Sequence, residues 1–364
     1  MNRSEAPLSP APGIAVTFLE QDRQQPAEVA ALLADFLSAA RSSLHIAIYD
    51  LRLSDAVAAP VVKALRERAA AGVEVRIAYD AGKPQAKFPA AGADPAPPGT
   101  ADFVRRLGDG VQGKPITGGD PQMPKLMHHK YAVRDGAAVW TGSTNWTDDS
   151  WSIQENNLVR LDSPELAGFY EADFAELWQR GDIGTTGERD TGTAHVGTVP
   201  VHVAFAPGQG RAIDHDAAQR ISAARRRLKV CSMLITSGAI LGALSDLLQR
   251  GRIAEYGGLY DRTQMEGVFE QWKGGPAEWK TAVFERVAAP LAGKRSTPYT
   301  PAGRHDFMHN KVLVCDDTVI TGSYNLSHSA EENAENLLMI EDRDLADRYS
   351  GYIDSLAHRY AAPG

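Results

Sequence analysis

Two stretches of the chain carry the same order of chemically capable side chains. The first runs Met127-His128-His129-Lys130-Tyr131-Ala132-Val133-Arg134-Asp135 and the second Met308-His309-Asn310-Lys311-Val312-Leu313-Val314-Cys315-Asp316, so each reads His-x-Lys-x4-Asp. A Gly-Ser-x-Asn element follows in both copies, Gly142-Ser143-Thr144-Asn145 and Gly322-Ser323-Tyr324-Asn325, and then a Glu-Asn pair, Glu155-Asn156 and Glu335-Asn336. From His to Ser the steps are 15 and 14 positions, and from His to Glu they are 27 and 26. A drift of one residue over two intervals is not what chance supplies. A neutral imidazole is a nucleophile or base, and a protonated one is an acid. Lysine ammonium groups neutralise an anion, and Ser and Asn donate hydrogen bonds to its oxygens. The two sets together describe covalent or acid–base chemistry on an anionic group.

This doubled pattern resembles the phospholipase D superfamily, whose members carry two such motifs on two homologous halves. The resemblance implies a phosphodiesterase that needs no metal and no cofactor and works through a phosphohistidine. His128 and His309 would share the chemistry, one attacking phosphorus and the other protonating the leaving oxygen, with the nucleophile assigned to His128 ahead of His309. Lys130 and Lys311 would neutralise the phosphoryl charge, and Ser143, Asn145, Ser323 and Asn325 would bind its oxygens. Glu155 and Glu335 would fix the imidazole tautomers, each paired, as the resemblance implies, with the histidine of its own half. Asp135 and Asp316, at the ends of the motif strands, are assigned a structural ion-pair or turn role. Two histidines competing for one proton predict a coupled titration and a bell-shaped rate profile.

The substrate is less legible than the reaction. The first reading is phospholipase D-like hydrolysis or headgroup transfer on phospholipids, with transient membrane-surface contact and Phe88, Trp272, Trp279, Phe284 and Tyr299 as an apolar rim. The alternative is a nuclease or nucleotide phosphodiesterase on the same site, and the remote one a catalytically idle binding protein. The net charge of −8 opposes tight, sequence-blind binding of long duplexes. Arg225-Arg226-Arg227 with Lys229 is the local basic candidate, otherwise a solvated helix end. His129 is expected to pack on the face opposite His128 and Lys130. His305 and His309 are four apart but sit on a Pro/Gly-rich loop without helical geometry or a third ligand, so no metal site is expected. His328 is a candidate substrate contact, and Trp146 and Trp151 line the pocket mouth or pack in the core. Cys231 and Cys315, in apolar strand-like runs, read as small buried hydrophobes and not as a disulfide.

The elements that must position these groups recur twice. Strand (14–19), helix (26–41), strand (44–49), helix (57–71) and strand (73–79) lead to a Pro/Gly/Ala-rich stretch at 81–125 with a short helical piece near Phe103. Short strands at 129–133, 138–141 and 158–161 and a helix at 163–179 follow. After a Gly/Thr-rich run the order restarts: strand 201–205, helix 212–226, strand 228–235, helix 239–250, a strand up to Tyr260, an irregular stretch at 273–306, strands at 311–314, 318–320 and 337–340, and a last helix from Leu345. Ser38-Ala39-Ala40-Arg41 repeats as Ser222-Ala223-Ala224-Arg225, and Asp80 and Asp261 each lie 48 positions before the motif histidine. The expected fold is α/β: two homologous halves, each a mixed, mainly parallel sheet flanked by helices, packed about a pseudo-two-fold axis. The expected boundaries are 1–180 and 200–364, with 181–199 as linker. At 364 residues, 43% hydrophobic and 23% charged, the chain is long enough for two cores. No run approaches the ~18 apolar residues of a membrane span, and the start lacks the pattern of an export signal. The expectation is a soluble, cytoplasmic protein, with a secreted form whose signal has been removed left open, and a monomer can hold both motifs of a site.

Overall fold

The computed structural model describes residues 12–82, 99–118, 125–184, 186–251, 253–300 and 303–361. The first half begins β1 (Ile14–Leu19), α1 (Pro26–Ser38), β2 (Ser43–Ile48), β3 (Leu51–Arg52), α2 (Asp55–Ala70), β4 (Glu74–Asp80), α3 (Thr100–Arg106) and β5 (Val111–Ile116). It continues with β6 (Lys130–Arg134), β7 (Ala138–Gly142), β8 (Trp146–Thr147), α4 (Asp148–Ser152), β9 (Asn156–Asp162) and α5 (Pro164–Arg180). The second half begins β10 (Gly192–Val196), β11 (Val199–Ala206), α6 (Gly210–Ala223), β12 (Arg227–Ser232), α7 (Gly238–Gln249), β13 (Glu255–Asp261), α8 (Arg262–Trp272), α9 (Trp279–Ala288) and β14 (Ala292–Lys294). It closes with β15 (Lys311–Cys315), β16 (Thr318–Gly322), a 3-10 turn at His328–Glu331, β17 (Glu335–Glu341) and α10 (Arg343–Tyr360).

Strand order is β1-β9-β7-β6-β2-β4-β5 in one sheet and β10-β11-β17-β16-β15-β12-β13-β14 in the other. Apart from β10 at its edge, the second sheet repeats the first strand for strand. Both are mixed, but the parallel share is smaller than the sequence suggested. Only β2, β4 and β5, and likewise β12, β13 and β14, pair in parallel. The expectation of a mainly parallel sheet is corrected to an antiparallel majority, because the motif strands are joined by hairpins. Asp135 to Ala137 links β6 to β7, far too short for a parallel crossover.

Helices α1 and α2 pack their Val, Leu and Phe side chains on the outer face of the first sheet, and α6 and α7 do the same on the second. Between the sheets lies one shared core: Tyr131, Val133 and Val159 from the first, Val312, Val314 and Leu338 from the second, and the buried sides of α5 and α10. Alternation along β6 sends Tyr131 and Val133 into that core and Lys130 and Ala132 the other way. Elements absent from the sequence reading are β3, β5, β8, α4, β10, α8, α9 and β14. They are short, or bury few side chains: Met265 is the one fully buried residue of α8, which Asp261 caps by accepting the Gln264 N–H. The 181–199 stretch is packed, with Thr186, Asp190, Ala194 and Val196 buried and β10 paired with β11.

The motif aspartates hold the hairpins. Asp135 and Asp316 sit at φ of 57° and 52°, a left-handed turn conformation that Asp tolerates better than most residues. The Asp135 carboxylate accepts the backbone N–H groups of Arg41 (2.9 Å), Ser42 (2.6 Å) and Ser43 (3.1 Å). Asp316 accepts those of Arg225 (2.9 Å), Arg226 (2.8 Å) and Arg227 (3.1 Å). The repeated Ser-Ala-Ala-Arg thus marks the chain entry to β2 and β12 that these carboxylates tie to the motif strand. Burial works against the charge of each aspartate, but the three N–H donors outweigh it and hold both below the usual carboxylate range. A depressed folded pKa gives stability that is present above the unfolded value, ~3.9, and lost as pH falls through the folded one. Asp135→Asn and Asp316→Asn should each lower the unfolding free energy by about 1 kcal/mol near neutral pH, a figure discounted for partial exposure. Urea titrations should show the gap to wild type closing below about pH 3.

Candidate active site

Each motif histidine is held in place from both halves of the chain. Asp80, at the end of β4, accepts the Met127 N–H at 2.8 Å, and Asp261, at the end of β13, accepts the Met308 N–H at 2.9 Å. The next peptide crosses over: His128 N donates to Ala334 O at 2.8 Å, and His309 N donates to Glu155 O at 3.0 Å. Gly142 and Gly322 close β7 and β16 at φ of 135° and 142°. A Cβ there would lie 2.2 Å from Asn157 O and 2.3 Å from Asn336 O, so the element that follows each motif needs glycine at this point.

The ring partners differ from the expected ones. His128 Nδ1 lies 2.8 and 2.9 Å from the two carboxylate oxygens of Glu335, which belongs to the other half. His309 Nδ1 lies 3.0 Å from Asn156 Oδ1. The same-half pairing is therefore corrected to a cross-half pairing, and Glu155 is no ring partner. Its carboxylate takes Lys294 Nζ at 2.6 Å and the Tyr360 hydroxyl. The cause is a one-residue shift in equivalence. Asn157 N and Asn336 N each donate to the serine of their own half, Ser143 Oγ and Ser323 Oγ, at 3.0 Å. Asn157 thus matches Asn336, Asn156 matches Glu335, and Glu155 matches Ala334. The run Glu155-Asn156-Asn157 offers two Glu/Asn alignments, and only strand register decides between them.

The amide of Asn156 is oriented by its other bonds. Its Nδ2 donates to Ser150 O and Gln154 Oε1, both at 3.2 Å, and its Oδ1 accepts from Ser143 Oγ at 2.8 Å and faces His309. Lys130 Nζ and Lys311 Nζ donate to the carbonyls of His128 and His309, each at 2.6 Å. The amide oxygens of Asn145 and Asn325 are buried without a partner. Tyr49, at the end of β2, lays its ring 4.8 Å from that of His128 and 5.0 Å from Lys130 Nζ.

Burial and mutual repulsion dominate the electrostatics. Desolvation lowers both histidines well below the ordinary value, and the charges of Lys130 and Lys311 lower them further. Lys130 is pushed down to about 7 by burial, and Lys311 well below the usual lysine range by burial and by Lys130. Burial raises Glu335 to about 7 against the pull of Lys130. Four cation-capable groups surround a space that stays short of negative charge until an anion enters it.

Other side chains fall on either side of the expectations. His129 is buried on the opposite face, 3.3 Å from Asp173 and 3.3 Å from Asn336 Nδ2. Trp146 and Trp151 are core residues, as are both cysteines, which are free. His305 Nε2 is taken by Thr300 O at 2.7 Å, and His328 is exposed and paired with Glu331. Three of the four cations of the basic run are paired: Arg226 meets Asp317 at 2.5 Å, Arg227 pairs with Asp347, and Lys229 meets Asp354 at 2.7 Å. Of the expected rim, Phe284 is buried and Trp272 half-buried, Trp279 and Tyr299 are exposed, and Phe88 lies outside the described residues. Sequence reasoning missed Asn156 and Tyr49, and it found Asp80 and Asp261 as a repeat without a role. The 48-residue spacing was the signal for the aspartates, whereas Tyr49 had none.

Comparisons with known proteins show the family and the fold. A family model described as cardiolipin synthase, PLD-like domain, matches residues 33–178 and 217–357, one match per half. The mitochondrial cardiolipin hydrolase of Xenopus laevis is 39% identical over 64 residues, 18% of this chain and 30% of that one. The protein of that name from Chlamydomonas reinhardtii is 28% identical over 144 residues, 40% of this chain and 55% of that one. The chain thus spans about a third to a half of the length of these relatives. The phosphatidylserine synthase of Haemophilus influenzae Rd KW20 shares the fold, with a TM-score of 0.64 at 13% identity over 92% of this chain and 84% of that one.

Because the site's cationic groups are held toward their neutral forms, an anion bound among them restores their charge and draws protons from solution. Titration calorimetry of inorganic phosphate at pH 7, in buffers of differing ionisation enthalpy, should show uptake of roughly one proton. Proton release on binding would contradict this electrostatic picture.

Proposed function

The chain belongs to the phospholipase D superfamily, and from that premise we propose that it is a metal-independent phosphodiesterase that hydrolyses phospholipids or transfers their phosphatidyl group, with His128 as nucleophile. The observation that carries the assignment is the unequal pairing of the two rings, a carboxylate on His128 and an amide on His309.

In the first step the lone pair of His128 Nε2 forms a bond to phosphorus while the bond from phosphorus to the leaving oxygen breaks. His309, protonated when the anionic substrate enters, gives its Nε2 proton to that oxygen. The phosphorylated ring of His128 carries positive charge, and the Glu335 carboxylate at its Nδ1–H stabilises it. Asn156 fixes the tautomer and direction of His309 without adding charge, which leaves that imidazolium the stronger acid. In the second step His309 takes a proton from water or an alcohol, whose oxygen displaces His128 from phosphorus. Lys130, Lys311, Asn145 and Asn325 stabilise the charge on the non-bridging oxygens. Ser143 and Ser323 act one layer out, through Asn156 and through the backbone of Asn336.

A phospholipid is favoured over nucleic acid by the named relatives, by exposed Trp279 and Tyr299 as a membrane-surface contact, and by the acidic partners of Arg226, Arg227 and Lys229 in the basic run. No helix among the described residues is long and apolar enough to cross a membrane.

His128→Ala and His309→Ala should each lower turnover at least ~10³-fold on phosphatidylcholine vesicles, since each removes a group used in both steps. EDTA should leave wild-type turnover intact. With a p-nitrophenyl phosphodiester, which needs no proton to leave, His309→Asn protein denatured at alkaline pH, where the N–P bond survives, should hold the remaining phosphoryl ester on His128, while His128→Asn holds none. The reverse pattern would exchange the two roles. Single-stranded and duplex DNA cleaved faster than lipid, with the same mutant losses, would keep the mechanism and reject the lipid.

A further inference from the structure

Beside the catalytic groups lies a cavity of about 700 Å³ whose floor includes His128 and Asn325. Among the described residues it lies under α8 and the start of α9, which separate β13 from β14. At the matching place between β4 and β5 the described residues of the first half hold only α3. Hydroxyl and amide side chains such as Thr263, Gln264 and Ser327 line it, with Trp272 and Tyr299 as aromatic walls. Among its described lining residues Lys280 is the one lysine or arginine, and none is an aspartate or glutamate.

Lys280 is positioned and still has capacity to bind. Its ammonium donates to Thr236 O at 3.0 Å and lies 5.7 Å from the Trp272 ring centroid. Those contacts orient the group and leave N–H donors over, and it has no carboxylate partner within salt-bridge distance among the described residues. Asp214, a buried acid that feels the charge of Lys280, takes the Ser237 hydroxyl at 2.5 Å, and burial discourages its own charge. A lysine held in an acid-free, hydroxyl-lined cavity that opens onto a phosphoryl site is suited to a second anion.

We propose that this cavity is a subsite for a second phosphate, carried by a short polyol on the same substrate, with Lys280 as its specificity-determining residue. The proposal rests on the phosphodiesterase reading, since it needs the first phosphate at His128 and His309. Both a glycerolipid with two phosphates and a 5′-phosphorylated dinucleotide present this chemistry.

The test compares glycerol bisphosphate with glycerol monophosphate by titration calorimetry on the full chain. The bisphosphate should bind about tenfold more tightly to wild type, the gain of one charge-assisted contact. The preference should fall to within about twofold in Lys280→Gln and persist in Lys280→Arg. Equal binding of the two ligands by wild type, or a preference unchanged in Lys280→Gln, overturns the subsite. Turnover assayed separately, with His128→Ala as control, reports on the phosphodiesterase reading, so the two can fail independently. Turnover of cardiolipin against phosphatidylglycerol in micelles, and of a dinucleotide with and without its 5′-phosphate, identifies the source. The pair whose ratio collapses in Lys280→Gln is the physiological chemistry, and dependence in neither pair counts against the proposal.

Discussion

Two lysines and two histidines buried together, with one carboxylate on a ring nitrogen, set the terms for the rest of the molecule. Removing that much potential charge from water is unfavourable unless something rigid prevents the groups from turning outward. The protein meets this with a backbone carbonyl on each lysine and a single carboxylate, Glu335, on His128. Each lysine is held by the carbonyl of the histidine two residues before it, and each histidine peptide is pinned by the opposite half. On the proposed function, the anion that completes the electrostatics is the substrate, so that binding and protonation are one event.

The rigid support is a hydrogen-bond network duplicated across the pseudo-two-fold axis. Asn157 Oδ1 accepts from Thr321 (2.9 Å) and Tyr349 (3.1 Å), while its Nδ2 donates to Asn310 (2.9 Å). Asn336 Oδ1 accepts from Thr141 (3.1 Å) and Tyr170 (3.3 Å), and its Nδ2 faces His129 (3.3 Å). Every one of these bonds joins one half to the other except those of Asn336 and Asn157 to their own serines. Buried, fully connected polar networks of this kind specify one arrangement of the interface. Against that symmetric frame the departures from symmetry gain meaning: Glu335 against Asn156; Tyr49, whose N–H donates to His129 O, against Met233, whose N–H donates to Asn310 O; and, among the described residues, α8 and α9 against α3.

Much of this was legible in the chain. The repeat placed His128, Lys130, His309 and Lys311 in one constellation, alternation put His129 on the far face, and the turn role of Asp135 and Asp316 followed from their place at the strand ends. The errors share a cause. The parallel share of the sheets was overestimated because a strand–helix–strand series was extended over strands that hairpins join. The glutamates were matched by residue type, where the start of β9 carries Glu155, Asn156 and Asn157 in sequence and a shift of one flips a side chain to the other face. β10 and α9 were overlooked because they are short and bury few side chains.

By itself the sequence determined which functional groups occur twice at matched spacing, since no fold is needed to see them, and the duplication that must bring them together. Only the tertiary structure decided which carboxylate meets which imidazole, because that pairing runs between strands more than 150 positions apart and depends on register across the axis. It likewise decided that one side of the site opens into a cavity holding Lys280. A lysine on an exposed-looking helix start has no sequence mark distinguishing it from any other, and its chemistry comes from the walls that three separate elements raise around it.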